Sequence, residues 1–257
     1  EDSVRYFVKP APLYHPNNIS LIRVGRLFLI DQNLYKNLDE KLKQQYAGNF
    51  IVIPHMQNQH WADAEDRLKY FASATIIAMQ QLDFKDRRFL DIGAGDGILS
   101  VLAHKLGASE LVLVERDDKE ITYAKELLKT NGVDLSRQVH FIQGDIQEPA
   151  PIVASWPSSN KEAIASISIG TWPLNYGKTT NLTGLKLLSM LSPDEIQKIN
   201  HIVLGGYQWG QYTMQGIRDL EYQEKQFIKE SLGLSSRPGA SSLGDMFSVV
   251  FDRDAAM

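Results

Sequence analysis

The chain has 257 residues, 43% hydrophobic and 23% charged, the balance of an ordinary globular protein, and this length suits one large domain or a core domain with an added module. A net charge of -4, spread along the chain, advertises no polyanion-binding surface, so nucleic acid is not an expected partner. No apolar run approaches the length of a bilayer crossing, and the absence of cysteine excludes disulfides, thiolate metal sites and a cysteine nucleophile together.

Residues 1–82 read as an N-terminal α+β module that serves the substrate side. Leu21 to Ile30 is strand-like, with Gly25 as a bulge or tight bend. Asp31 or Asn33 can cap one helix carrying Leu34, Leu38 and Leu42 on a stripe and ending near Gly48. Phe50 to Ile53 is a short apolar strand stopped by Pro54. Asp63 to Gln81 has a helical rhythm through Leu68, Phe71, Thr75, Ile76 and Met79.

Residues 83–257 alternate strand and helix. Strands are expected at Phe89–Ile92, Glu110–Glu115, Val139–Ile142, Ala163–Ile169, His201–Leu204 and Met246–Phe251. Helices are expected at Gly97–Leu106, Lys119–Asn131, Leu185–Leu191 and Tyr222–Ser231, with a further helix start at Ser192-Pro-Asp-Glu195. This alternation predicts an α/β domain: a Rossmann-like, doubly wound, mainly parallel sheet. Ligands bind such sheets at the carboxyl ends of the strands, near the switch point.

That position holds Phe89 to Ser100, FLDIGAGDGILS, a strand running into Gly93, Gly95 and Gly97 and then a helix. One glycine tightens the turn, one lets a ligand reach the backbone, and one permits close packing of the helix. A dinucleotide fingerprint needs a small residue three places after the second glycine, and Ile98 stands there. Asp91 and Asp96 flank the glycines, and carboxylates suit a cationic ligand with an ammonium group better than a pyrophosphate. S-adenosylmethionine has both charges. Glu115, closing the next strand, can accept from two ribose hydroxyls. Asp145 is placed for an adenine amino group, with the Ile146 backbone N–H beside the ring edge.

The ordered set, apolar strand, D-h-G-x-G-x-G, an acid closing the second strand and Gly144-Asp145 closing the third, resembles the class I S-adenosylmethionine-dependent methyltransferases. Within them, Arg88 to about Val133 is similar to the ribosomal protein L11 methyltransferase family. The resemblance implies that Asp91, Gly93, Gly95 and Gly97 line the methionine end of the cofactor, that Glu115 holds the ribose and that Asp145 holds the adenine. Ala94, Arg116 and Ile146 complete the cofactor-binding candidates.

The chain departs from that family outside the loop. His55 to Arg67, HMQNQHWADAEDR, lacks the family's glycine- and threonine-rich segment, and Ser168 stands where the family has an asparagine. Ser168, Thr171 and Trp172, with Asn175 and Tyr176, follow the fourth strand, where a methyl acceptor is expected. Trp172-Pro173-Leu174 reads equally as a packed connection. His55, His60 and Trp61 read as surface or packing residues, with cover over the cofactor as the other reading. The expected partner is a methyl acceptor on a protein or a small molecule. A silent, cofactor-binding scaffold and a nicotinamide oxidoreductase remain the competing functions. Oligomeric state and the specific acceptor are not legible.

Other motifs fail on their own terms. In GTWPLNYGKT, Trp172 occupies the first glycine position of a phosphate loop. His55, His60, Asp63 and Glu65 match no metal-ligand spacing, and no metal is expected. Asn18-Ile-Ser20 and Asn181-Leu-Thr183 are glycosylation triplets of the kind chance supplies. The chain begins at Glu1 with no secretory leader pattern. Cytoplasm is the expected compartment, and removal of a leader ahead of Glu1 stays open.

Overall fold

The computed structural model describes residues 21–54, 73–167, 181–205, 214–238, 241–243 and 246–253. They form two sheets. In the first, β1 (Leu21–Val24) and β2 (Leu27–Asp31) make an antiparallel hairpin with Val24 opposite Leu27, so Gly25-Arg26 is a two-residue turn and not a bend within one strand. Gly25 has φ 60°, the left-handed conformation such a turn requires. β3 (Phe50–Ile53) runs parallel to β2 and carries Pro54 at its end.

Two short helices cross between β2 and β3, where the sequence reads as one. Asp31 caps α1 (Gln32–Asn37) through the Asn33 and Leu34 N–H groups, and Asp39 caps α2 (Glu40–Gln45) through Lys41 and Leu42. The second cap explains the break: Leu38 is extended, with ψ 144°, and its neighbour's carboxylate restarts the helix. Phe28, Ile30, Phe50 and Val52 then pack against Tyr35, Leu38 and Tyr46 on one face of the small sheet. Leu27, Leu29, Ile51 and Ile53 on the other face join the core of the main domain.

Asn131 fastens that junction. Its side-chain amide accepts from the Val52 N–H and donates to the Val52 carbonyl, both at 2.8 Å, in the manner of an added strand. Asn131→Ala strands two buried main-chain groups and is expected to cost about 2 kcal/mol. Thermal unfolding checks this, and a change below a few tenths of a kcal/mol would contradict it.

The main sheet takes the order β10-β11-β8-β7-β4-β5-β6, with β9 also on β11. After α3 (Ser73–Met79) come β4 (Arg88–Ile92), α4 (Ile98–Lys105), β5 (Glu110–Glu115), α5 (Asp118–Thr130), α6 (Leu135–Gln138), β6 (Val139–Gln143) and α7 (Pro149–Ala154). The second half holds β7 (Ala163–Ile167), α8 (Asn181–Ser189), α9 (Pro193–Lys198), β8 (Ile199–Leu204), α10 (Met214–Phe227), β9 (Leu234–Ser236), β10 (Ser241–Leu243) and β11 (Met246–Arg253). The pairs from β6 through β8 are parallel, and β11 is antiparallel to β8, β9 and β10.

Helices cover both faces, which is why the central strands are buried on both sides and mainly apolar, with Arg88, Asp91 and Ser166 as the buried polar exceptions. α3, α4 and α5 cover the face of Phe89, Leu111, Leu113 and Ile164. Ile152, Leu185, Leu188 and the π-helical turn Ile228–Leu232 cover the face of Leu90, Val112 and Ala165. Gly233, at φ 69°, ends that turn. Asn181, from one of the glycosylation triplets, is fully buried with its amide on the Gly205 carbonyl, so it is structural.

The chain order reverses at β4: β5 and β6 extend one way, β7 and β8 the other. That switch point opens a crevice at the carboxyl ends of the strands. At the opposite end, Arg88 is 1% exposed and joins two acids, with Nε 3.0 Å from Glu110 Oε1 and Nη1 2.9 Å from Glu195 Oε2.

Candidate cofactor site

The loop after β4 is folded down onto β5. The N–H groups of Gly93 and Ala94 both donate to the Val114 carbonyl, at 2.9 and 3.0 Å, and Gly97 N–H donates to the Ala94 carbonyl at 3.0 Å. Two glycines have separate reasons. A Cβ on Gly97 would stand 3.0 Å from the Ala124 Cβ, so Gly97 lets α4 lie against α5. A Cβ on Gly95, at φ 54°, would meet only a Glu120 oxygen at 3.9 Å. The Gly95 backbone therefore faces open space, as a ligand cradle requires.

The sequence expectation against a pyrophosphate has a structural cause. Asp96 Oδ1 accepts from the Ile98 N–H at 3.3 Å, so a carboxylate sits where a phosphate would meet the start of α4. Ile98 itself is buried in the core. It cannot become a small residue's gap without repacking.

Glu115 is fixed by the backbone around it. Oε2 accepts from Gly95 N–H at 2.9 Å, and Oε1 accepts from Arg116 and Asp117 N–H at 2.8 and 3.0 Å. A carboxylate has about four lone-pair positions, and these three donors fill both on Oε1 and one on Oε2, so Oε2 keeps one acceptor position for a hydroxyl group. The three donors hold it ready in one orientation.

Asp91 lies under the loop and is 2% exposed. Its Oδ2 accepts from Ser100 Oγ at 2.6 Å. Burial pushes the carboxyl up from 3.8 to about 7, against the Ser100 hydrogen bond, with the Asp96 and Glu115 charges adding to the rise. A buried acid among acids suits a cationic ligand.

Known proteins align with this region. A model of the ribosomal protein L11 methyltransferase (PrmA) family matches residues 72–155. The ribosomal protein L11 methyltransferase of Acetivibrio thermocellus is 43% identical over 61 residues, 24% of this chain and 20% of that protein. Protein arginine N-methyltransferase 1 of Oryza sativa subsp. indica is 36% identical over 88 residues, 32% of this chain and 22% of that protein. The matched segments thus span about a fifth of those relatives' own length. The solved ribosomal protein L11 methylase of Lactobacillus delbrueckii subsp. bulgaricus shares the fold, with a TM-score of 0.58 at 16% identity, over 91% of this chain and 99% of that one.

The core of this chain is that of a class I S-adenosylmethionine-dependent methyltransferase. S-adenosyl-L-methionine is the cofactor of that class, and the residues present fit it. The open Gly95 backbone and the fixed Glu115 carboxylate meet at the switch point, with the buried Asp91 carboxyl on the strand that leads into the loop.

In this methyltransferase core, Asp145 follows β6, and one of its oxygens is already engaged. Oδ1 accepts from Gln147 N–H at 2.9 Å, while Oδ2 lies 3.6 Å from Arg116 Nη1. The turn presets the carboxylate, and the half-exposed Arg116 sits beside it. The structure therefore brings Asp91, Gly93, Ala94, Gly95, Gly97, Glu115, Arg116, Asp145 and Ile146 to the carboxyl ends of β4, β5 and β6. Ser168, Thr171, Trp172, Asn175 and Tyr176 lie outside the described residues, as do His55, His60 and Trp61.

Two buried hydroxyls beside Asp91 escaped the sequence. Ser100 stands within the fully buried run Ile98 to Ala103, and Ser166 in the fully buried strand Ala163 to Ile167. A hydroxyl in an otherwise apolar buried run was the available signal.

The raised Asp91 carboxyl has a consequence for stability. The folded state binds this proton more tightly than the unfolded chain, so its contribution is full below about pH 4 and is lost as pH rises through about 7. Asp91→Asn is expected to flatten that slope, making the ligand-free protein more stable than the parent at pH 8 by a few kcal/mol at most. Its cofactor affinity should fall at the same pH. Denaturant unfolding at pH 5 and pH 8 checks the first. A variant less stable than the parent at pH 8 would contradict it.

Proposed function

We propose that the chain transfers the methyl group of S-adenosylmethionine to an acceptor on a protein side chain or a small molecule. The observation that carries this reading is the Glu115 carboxylate, held by three backbone N–H groups beside the open Gly95 backbone. Bound there, the cofactor supplies a methyl group on an electrophilic sulfonium. The chain's part is alignment and exclusion of water. Glu115 would hold the ribose, Asp145 the adenine and Asp91 the methionine end. Ser168, Thr171 and Trp172 follow β7 in sequence, so they are proposed to line the acceptor, with residues 1–82 as the substrate-side module. The matched relatives named for an acceptor modify proteins, L11 in one and arginine in another, which favours a protein side chain.

Incubation with methyl-labelled cofactor and cell extract tests the reading. Label should enter the protein fraction or a small-molecule fraction, and Gly95→Val should abolish it. Valine at φ 54° is strained and projects into the cradle. Cofactor binding with no label transferred to either fraction would favour the silent scaffold.

A further inference from the structure

Beneath the glycine loop lies a polar group that the cofactor assignments leave unused. Asp91 and Ser166 pair directly across β4 and β7, so their side chains stand on the same face of the sheet. Ser166 is 0% exposed, and its hydroxyl has no hydrogen-bond partner among the described residues. A buried hydroxyl without a partner is costly and uncommon in a finished core.

The surroundings define what would satisfy it. Ser100, from α4, fills one acceptor position on Asp91. Leu113, Phe89 and Val203 on the same face are apolar. The charges nearest Asp91 are Asp96 in the loop and Glu115 on β5, both negative. From α5 comes Ala124, and α3 brings no charged side chain between Thr75 and Met79. The pair lies just before Gly93, where the wall of the site begins. Carboxylate and hydroxyl together offer acceptors to a group that carries only donors. An ammonium is such a group, reached directly or across one water.

We propose that Ser166 is a positioning residue of this site, forming with Asp91 a buried polar bay that anchors the ammonium at the methionine end of the cofactor. The proposal rests on the methyltransferase reading above. Ser166 acts on cofactor orientation and takes no part in the methyl transfer itself.

Ser166→Ala separates this role from a structural one. Two ligands are titrated calorimetrically into parent and variant: S-adenosylhomocysteine, which has the ammonium, and 5′-methylthioadenosine, which lacks the whole methionine end. The expected result is about a tenfold rise in Kd for the first, the loss of one hydrogen bond to a charged group, and no change for the second. The melting temperature of the ligand-free variant should equal or exceed the parent's, because an unpaired buried hydroxyl has gone. Equal weakening of both ligands, no weakening of either, or a lower melting temperature would overturn the proposal. A parent that binds neither ligand would overturn the cofactor reading itself. A parent that binds both, with a variant that matches it, would overturn only the role of Ser166.

Discussion

Replacing Glu115 with alanine is expected to weaken S-adenosylmethionine binding by at least roughly tenfold to a hundredfold. One hydrogen bond from a ribose hydroxyl to the free position on the carboxylate is at stake, worth about 1.5–3 kcal/mol. The same substitution releases the N–H groups of Gly95, Arg116 and Asp117 that now hold the carboxylate. Loosening of the loop therefore adds to the loss. Glu115→Gln isolates the charge, since it keeps the size and one oxygen acceptor. It should fall between parent and alanine variant. Equilibrium binding with labelled cofactor measures both. An alanine variant within threefold of the parent would remove Glu115 from the site.

Arg88→Met is expected to be the most damaging single change to the fold, at about 3–5 kcal/mol. Arg88 is almost fully buried, and its partners Glu110 and Glu195 have side chains only 14% and 13% exposed. Methionine fills much of the arginine's volume, so packing is largely kept. The two carboxylates, however, lose the cation between them. Replacing all three, as Arg88→Met, Glu110→Leu and Glu195→Leu together, should recover part of the loss, because the carboxylates leave with the cation while Lys198 loses Glu195 and keeps the Ser159 carbonyl. Denaturant unfolding, read as a midpoint shift at constant slope, measures this. A single-variant loss below 1 kcal/mol would show that the carboxylates find water instead. Arg88 lies at the far end of β4 from the glycine loop. Cofactor affinity should be unchanged wherever the variant is folded.

The part of the molecule that binds cofactor was the most legible in sequence. β4, β5 and β6 are short apolar runs between strong stop signals. Gly132 and Ser192 punctuate helices in the usual ways, and the structure finds Gly132, at φ 84°, just past the end of α5 and Ser192 capping α9. The acids and glycines are readable because their chemistry needs fixed positions along the chain.

Most of what escaped was set by contacts distant in sequence, and one break was set by a local cap. Asp39 breaks the first helix in two with a stripe of leucines running through it, since a local cap competes with periodicity. β9 and β10 are three residues each, rich in serine, and exist because β11 offers them an edge. Ser100 and Ser166 look like helix and strand filler until the sheet sets Ser166 beside Asp91 and the helix lowers Ser100 onto it. The joining of the two sheets through Val52 and Asn131 spans 79 residues, and no local pattern announces it.

The central claim is that the glycine loop and its acids receive a sulfonium cofactor. Isothermal titration of S-adenosylmethionine, with NAD and NADP run alongside, tests it most directly. The account expects one-to-one binding of S-adenosylmethionine, lost in Glu115→Ala, and no binding of either nicotinamide dinucleotide. Absence of S-adenosylmethionine binding at millimolar cofactor, or preference for a dinucleotide, would contradict it.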